Sequence, residues 1–296
     1  METPSIFDRG IEKVKNVVSE ASVEQRGFIK AIARTCYDGW LQGWHEGNGG
    51  NLSYRMTPEE TSACRSYFSE TVGEWVGLGV RAVGLQNECF VVTAQGAQFR
   101  NVMLDPASCL GIVEVNPTGD AYRNVWGFKG GGQPTSEFTS HFINHSVRKA
   151  VTNGSCRIVY HAHPTSAIAL GSVLQNDSKK LSRALWQSLA ESILLLPEGI
   201  GATKRLAPGS IELAGATSEL MEKTSSVLWP HHGVICSAND LDSALGLMHT
   251  IEKASAIYLQ AAAAKRGASG PDMPTDADLR SVAEAFGVTL EEKYLG

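Results

Sequence analysis

The chain reads as an α/β protein, and two features of the sequence predict that class. Short apolar runs rich in β-branched and aromatic residues alternate with longer stretches of helical period. No Pro/Ser-rich linker, low-complexity tract or internal repeat divides the 296 residues. The 43% hydrophobic content can therefore feed one sizeable core.

The elements follow in order. Pro4 to Ala21 is a short charged helical stretch, so residues 1–22 are set apart as an N-terminal helical extension from a body spanning 23–296. Val23 to Trp44 is expected as a helix, with Phe28, Ala31, Ile32, Thr35 and Trp40 on or near one face. Strands are expected over Asn51 to Arg55, Cys89 to Thr93, Gly111 to Val115 and Ala121 to Trp126. Thr57 to Thr71, acidic and irregular, reads as a solvated loop. A helix is expected over Thr135 to Thr152, and Cys156 to Tyr160 reads as a strand. Further helices are expected at Leu181 to Ala190, Gly215 to Lys223, Asp240 to Ala264 and Asp276 to Phe286. Ile193 to Leu196 reads as an aliphatic strand, and Ser226 to Cys236 as a buried strand broken by a turn. Lys265 to Pro274, polar and rich in Gly and Pro, reads as a loop.

The strongest chemical signal is His161-Ala162-His163 at the end of a strand. Side chains at i and i+2 on a strand share a face, so both imidazoles can reach one small object. Imidazole is a common ligand for zinc and related metals. The pair stops at Pro164, and strand ends are where open α/β sheets place their sites. The competing reading is two hydrogen-bonded histidines near a strand end. A third histidine follows in Trp229-Pro230-His231-His232-Gly233. Neighbours on a strand face opposite ways, so only one of His231 and His232 joins the pair, and the local pattern does not choose between them. Three protein nitrogens plus one open position is the usual plan of a catalytic zinc site.

Upstream, Thr135 or Ser136 makes a good N-cap and puts Glu137, a candidate acid/base, in the first helical turn. A helix start of this kind also suits a phosphate. Glu137, His141 and His145 are four apart and share one helix face, so a separate metal site is a rival to histidines hydrogen-bonded in the core. Gly47-Asn48-Gly49-Gly50-Asn51 permits positive φ and exposes N–H groups to an anion, and has neither a Walker nor a dinucleotide-binding spacing. His45 reads as a surface residue beside this loop, and Trp126, Trp186 and Trp229 as core or interface packing.

The composition narrows the class. A net charge of −5 argues against a nucleic-acid surface. The start lacks a basic, apolar signal peptide, and the longest aliphatic run is far too short to span a bilayer. Six scattered cysteines with no C-x-x-C read as reduced, buried thiols, which fits a cytoplasmic location. No motif suggests a nucleotide, flavin or haem.

Several segments occur in a telling order: Gly39-Trp40-Leu41-Gln42-Gly43-Trp44, Asn48-Gly49-Gly50-Asn51-Leu52, Phe99-Arg100-Asn101-Val102, Leu104-Asp105-Pro106, Pro134-Thr135-Ser136-Glu137, His161-Ala162-His163, Leu185-Trp186 and Leu228-Trp229-Pro230-His231-His232-Gly233. Together they resemble the class II aldolase and adducin family, and the tryptophan-rich opening and Trp-Pro-x-His-Gly resemble its rhamnulose-phosphate branch. The resemblance covers roughly Gly27 to Thr289.

That resemblance implies a single-domain α/β/α sandwich with a mainly antiparallel central sheet, and a homotetramer with sites between subunits. It implies one Zn²⁺ per subunit on His161, His163 and His232, with Glu137 as catalytic glutamate and Glu191 supplied by the neighbouring subunit. Asn48, Gly50, Asn51, Thr135 and Ser136 would cradle the oxygens and phosphate of a ketose 1-phosphate. The implied reaction is reversible cleavage of L-rhamnulose 1-phosphate to dihydroxyacetone phosphate and L-lactaldehyde through a metal-stabilised enediolate. One phosphate-side segment departs from the family's Thr-Gly-Ser-Gly-Lys: here it reads Thr93-Ala94-Gln95-Gly96-Ala97. Gln95 and Gly96 stay phosphate-binding candidates, because the Gln95 amide still donates. The rival functions are another sugar-phosphate aldolase, epimerase or dehydratase on the same fold, and a non-catalytic adducin-like interaction domain, which predicts missing ligands.

Overall fold

The computed structural model describes residues 22–68, 73–264 and 272–296. The helix expected over 4–21 lies outside the described residues, as do positions 69–71 and 265–271 of the two expected loops. Nine strands of the described residues form one sheet: β1 (Asn51–Arg55), β2 (Val76–Gly77), β3 (Cys89–Thr93), β4 (Leu110–Val115), β5 (Ala121–Gly127), β6 (Ile158–Ala162), β7 (Gly201–Ala202), β8 (Ser226–Trp229) and β9 (Gly233–Ala238). Their order is β2-β5-β4-β3-β1-β6-β9-β8-β7. Every neighbouring pair is antiparallel except β7 with β8.

The described α-helices are α1 (Gly27–Leu41), α2 (Pro58–Cys64), α3 (Pro106–Cys109), α4 (Phe138–Val151), α5 (Thr165–Val173), α6 (Ser178–Ser188), α7 (Ala190–Leu195), α8 (Ile211–Met221), α9 (Leu241–Ala264) and α10 (Asp276–Phe286). The central strands are buried on both faces, and alternation sorts their side chains. Val91, Ile158 and Cys236 face the layer that contains Ile32 of α1, Leu170 of α5, Leu185 of α6 and Met248 of α9. Phe90 and Val92 pack on Phe138 and Phe142 of α4, and Val159 and Ile235 pack on Leu213 and Met221 of α8. The result is the expected sandwich of helices on both sides of a mainly antiparallel sheet.

Some expectations fail locally. Ile193–Leu196 is not a strand: Ile193 lies inside α7, which ends at Leu195, with Ile193 and Leu196 buried and Leu194 and Leu195 exposed. A four-residue apolar run carries no period of its own, so helix and strand are indistinguishable there. Thr57–Cys64 is not a loop either. Thr57 and Glu60 form a reciprocal capping box on α2, and Glu60 also takes the Tyr54 hydroxyl and the Arg157 guanidinium. The helix expected from Thr135 starts only at Phe138, because the Thr135 N–H donates to the Thr93 carbonyl and continues the sheet instead. Helix α5 and the two-residue strands β2 and β7 are not expected from the sequence pattern. The free N–H groups of Ser166 and Ala167 at the start of α5 are taken by the Glu252 carboxylate from α9, at 2.9–3.0 Å. All six cysteines are free and buried.

The rival metal site on α4 does not form. His141 and His145 both point into the core, where the Ser53 hydroxyl of β1 bonds His141 Nδ1 at 2.7 Å and His145 Nε2 at 2.8 Å. Burial pushes the His141 imidazolium down to about 3 and that of His145 well below its ordinary value. The folded chain therefore keeps both neutral, whereas the unfolded chain protonates them below about pH 6.5. Their contribution to stability is present above that pH and is lost as pH falls from there towards 3. Denaturant unfolding of metal-stripped protein should show a loss of about 1 kcal/mol per histidine between about pH 7.5 and about 5.5. Equal stability at the two pH values would contradict their neutral burial.

Candidate active site

The site is assembled by sheet register. In the β1–β6 ladder Asn51 stands opposite His161 and Ser53 opposite Val159, so Asn51 and His161 share the face covered by α4. His161 also stands opposite Ile235 of β9. Strands β8 and β9 form a hairpin closed by Trp229 and Gly233, with Pro230, His231 and His232 in the turn. His231 adopts the left-handed backbone (φ 61°) and is exposed, and the His232 N–H donates to the Trp229 carbonyl at 3.0 Å. This geometry separates the neighbours that strand alternation leaves undecided: His232, not His231, joins His161 and His163.

The three imidazoles meet through their Nε2 atoms. His161 Nε2 lies 3.2 Å from His163 Nε2 and 3.3 Å from His232 Nε2. His161 Nδ1–H donates to the Val234 carbonyl (3.0 Å), and His163 Nδ1–H donates to Glu46 Oε1 (2.7 Å). Both donations leave Nε2 as a bare lone pair facing the cluster. Burial, then the neighbouring imidazoles, hold His161 well below its usual range, and burial holds His232 near about 4, so both are neutral at ordinary pH. Lone pairs aimed at each other over such distances repel unless a cation lies between them. Three nitrogens on a tetrahedral ion, each about 2.0–2.1 Å from it, sit roughly 3.3 Å apart. The donor set and its spacing fit a divalent metal. His161 is fully buried while His163 and His232 are partly open, which leaves one side for another ligand.

Glu137 sits beside this trio, with its carboxylate oxygens 3.6 Å from His161 Nε2 and 3.6 Å from His232 Nε2. Asn51 Nδ2 donates to Glu137 Oε2 at 2.8 Å. Burial raises the Glu137 carboxyl above its usual range, against the opposing pull of Asn51 and His163. A carboxyl poised in this way can both hold and release a proton. It occupies the N-cap position of α4 but its side chain caps nothing, which leaves it for the site.

The remaining candidates fall on the glycine loop, on the paired 95–96 and 135–136 segments, and on α7. Asn48 is exposed in the loop that ends at Gly50, whose φ of 75° and proximity to His45 exclude a side chain. The backbone of Gln95 pairs with Gln133, and Ala94 bridges Pro134, so the Gln95-Gly96 turn lies alongside the Thr135-Ser136 segment. Gln95, Gly96 and Ser136 are exposed and Thr135 is buried. Glu191 is exposed in the first turn of α7 and shares no hydrogen bond or ion pair with the three histidines within the described chain.

Sequence reasoning misses two supporting residues. Glu46 orients His163 from the loop. His45, expected at the surface, is 2% exposed, with Nε2 bonded to the Tyr160 hydroxyl (2.7 Å) and Nδ1 to the Gly49 carbonyl (3.0 Å). It ties the loop to the strand that carries His161. Its position just after Trp44 and just before the glycines is the only signal the sequence carries.

Residues 30–259 match the family model for the Class II Aldolase and Adducin N-terminal domain. The rhamnulose-1-phosphate aldolase of Pectobacterium carotovorum subsp. carotovorum (strain PC1) is 38% identical over 270 residues, covering 90% of this chain and 96% of that protein. The rhamnulose-1-phosphate aldolase of Escherichia coli O139:H28 (strain E24377A / ETEC) is 38% identical over 239 residues, covering 81% and 87%. Among solved structures, a sugar-phosphate aldolase from Thermotoga maritima superposes with a TM-score of 0.69 at 27% identity, covering 82% of this chain and 98% of that one.

Gly233 tests the packing of the trio. A Cβ there would lie 2.3 Å from the Ala162 carbonyl oxygen and 2.8 Å from the His161 ring. Gly233→Ala should therefore displace His161 and lose metal binding, read as bound metal per chain by elemental analysis. Full metal content in a folded Gly233→Ala protein would contradict the tight approach.

Proposed function

The chain belongs to the class II aldolase and adducin family, and from that membership we propose that it is a metal-dependent aldolase that cleaves L-rhamnulose 1-phosphate to dihydroxyacetone phosphate and L-lactaldehyde. The observation that carries the reading is the convergence of three imidazole nitrogens beside a buried carboxyl, in a chain 38% identical to rhamnulose-1-phosphate aldolases over most of its length. A non-catalytic adducin-like role would leave this set without a purpose. A Schiff-base route is disfavoured because no lysine is buried among the described residues.

His161, His163 and His232 would hold one zinc ion, the proposed metal. When bound, it supplies Lewis acidity for the negative charge that develops on the ketose oxygens as C3–C4 breaks. The residues of the chain do the rest. The C4 hydroxyl proton passes to a base, assigned to Glu191 of a neighbouring copy. The C3–C4 electron pair moves into the C2–C3 enediolate, and Glu137 returns a proton to C3 to give dihydroxyacetone phosphate. Asn51 steadies the Glu137 carboxylate. The phosphate falls to the loop of Asn48 and Gly50 and to Thr135 and Ser136, with Gln95 and Gly96 assisting through amide and backbone N–H groups. The reading also takes residues 23–296 as the catalytic domain, with 1–22 as an extension, and the active form as a cytoplasmic homotetramer. No helix of the described residues is long and apolar enough to cross a membrane.

The direct test is incubation with L-rhamnulose 1-phosphate, with and without a chelator, while assaying released dihydroxyacetone phosphate. Cleavage that the chelator abolishes and added zinc restores is expected. A preference for unphosphorylated rhamnulose would move the chain to another branch. Glu137→Gln should lower turnover on the order of 10²-fold with the fold intact.

The shared site has its own test. Inactive Glu137→Ala and Glu191→Ala chains, mixed and reassembled, should recover part of the activity, because some interfaces then pair two intact glutamates. Mixed oligomers as inactive as their parents would rule out a contribution from the neighbour.

A further inference from the structure

A line of buried polar side chains leads from Glu137 into the core between α4 and β1. Asn51 uses its Nδ2 on Glu137 Oε2 (2.8 Å), so its Oδ1 faces inward and accepts from His141 Nε2–H. A neutral imidazole has one donor and one acceptor, so His141 Nδ1 is a lone pair and accepts the Ser53 hydroxyl proton (2.7 Å). The Ser53 oxygen in turn accepts from His145 Nε2–H (2.8 Å). Each bond is donated towards Glu137, and no link can reverse alone. Ser53, His141 and His145 are fully buried, and Asn51 nearly so. Among the described residues, His145 Nδ1 ends the line with no hydrogen-bond partner. The other end meets the Glu137 carboxylate.

We propose that Ser53, His141 and His145 are positioning residues for the reaction: they lock the amide orientation of Asn51, which holds Glu137 Oε2 and leaves Oε1 directed to the substrate. The proposal rests on the reading of Glu137 as the proton carrier. Without the Ser53 hydroxyl on Nδ1, His141 can take the Nδ1–H tautomer; its Nε2 lone pair then draws the Asn51 Nδ2 donor, and the turned amide presents Oδ1 to the carboxylate, where two acceptors repel. The carboxylate then leaves its productive geometry without any change at the histidine trio. Because the effect reaches substrate only through Glu137, it should vanish when Glu137 is already disabled.

A double-mutant cycle reads that dependence. The full chain is used, with bound metal and thermal midpoint measured for every variant. Ser53→Ala should lower kcat about ten-fold with KM within about two-fold, and should cost less than about two-fold in the Glu137→Gln background. Metal content should stay at the wild-type level. Ser53→Cys, whose thiol can still donate to His141, should recover part of the loss. If Ser53→Ala fails to fold, His145→Leu runs the same cycle, since it removes the donor that orders the Ser53 hydroxyl and has the Phe90 ring beside it. Equal losses in the wild-type and Glu137→Gln backgrounds, or a loss confined to KM or metal content, would overturn the positioning role. Near-normal activity of Glu137→Gln by itself would overturn the aldolase role of Glu137, and the proposal with it.

Discussion

The pairing of β1 with β6 is the constraint on which the site depends. It sets Asn51 opposite His161 on the face that α4 covers. A slip of one residue would turn every side chain of one strand to the other face and separate the amide from the imidazole. The register is held by burial on both faces, since Leu52 and Tyr160 belong to one hydrophobic layer and Val159 to the other. It is also held at the next strand, where the Leu52 N–H donates to the Thr93 hydroxyl (3.1 Å). Core packing thus fixes the chemistry, and the polar groups sit where the apolar pattern delivers them.

Much of this is legible in the amino-acid sequence. His161-Ala162-His163 announces a shared face because strand geometry leaves no alternative for i and i+2. Glu137 is legible as a candidate acid/base, although for an inexact reason: it does not lie in the first turn but at the boundary, where Thr135 still belongs to the sheet. The choice between His231 and His232 is not legible from strand alternation, because neither residue is in a strand. The hairpin turn decides it, with His231 taking the left-handed backbone and Gly233 leaving space for the rings.

The failures share a physical cause. Ile193–Leu196 misleads because four aliphatic residues have no period, and only the burial of Ile193 and Leu196 against exposed Leu194 and Leu195 reveals the helix. Thr57–Cys64 misleads because charge density suggests solvent, whereas the capping box and the Arg157 contact of Glu60 are tertiary as much as local. His45 misleads because a histidine among glycines looks exposed. Its burial depends on the Tyr160 hydroxyl, 115 residues away. Long-range hydrogen-bond partners are the one thing local pattern cannot supply.

The carboxylate of Glu252 at the start of α5 has a wider meaning for the molecule. That helix begins immediately after His163 and Pro164, and the start of a helix is a natural seat for an anion. Here the seat is already filled by an internal negative group that cannot diffuse away. The start of α5 is therefore closed to a second anion, and the same contact pins α9 to the segment that follows His161 and His163. A helix start that could have held an anion serves instead as the joint between α9 and the strand end that carries two of the three histidines.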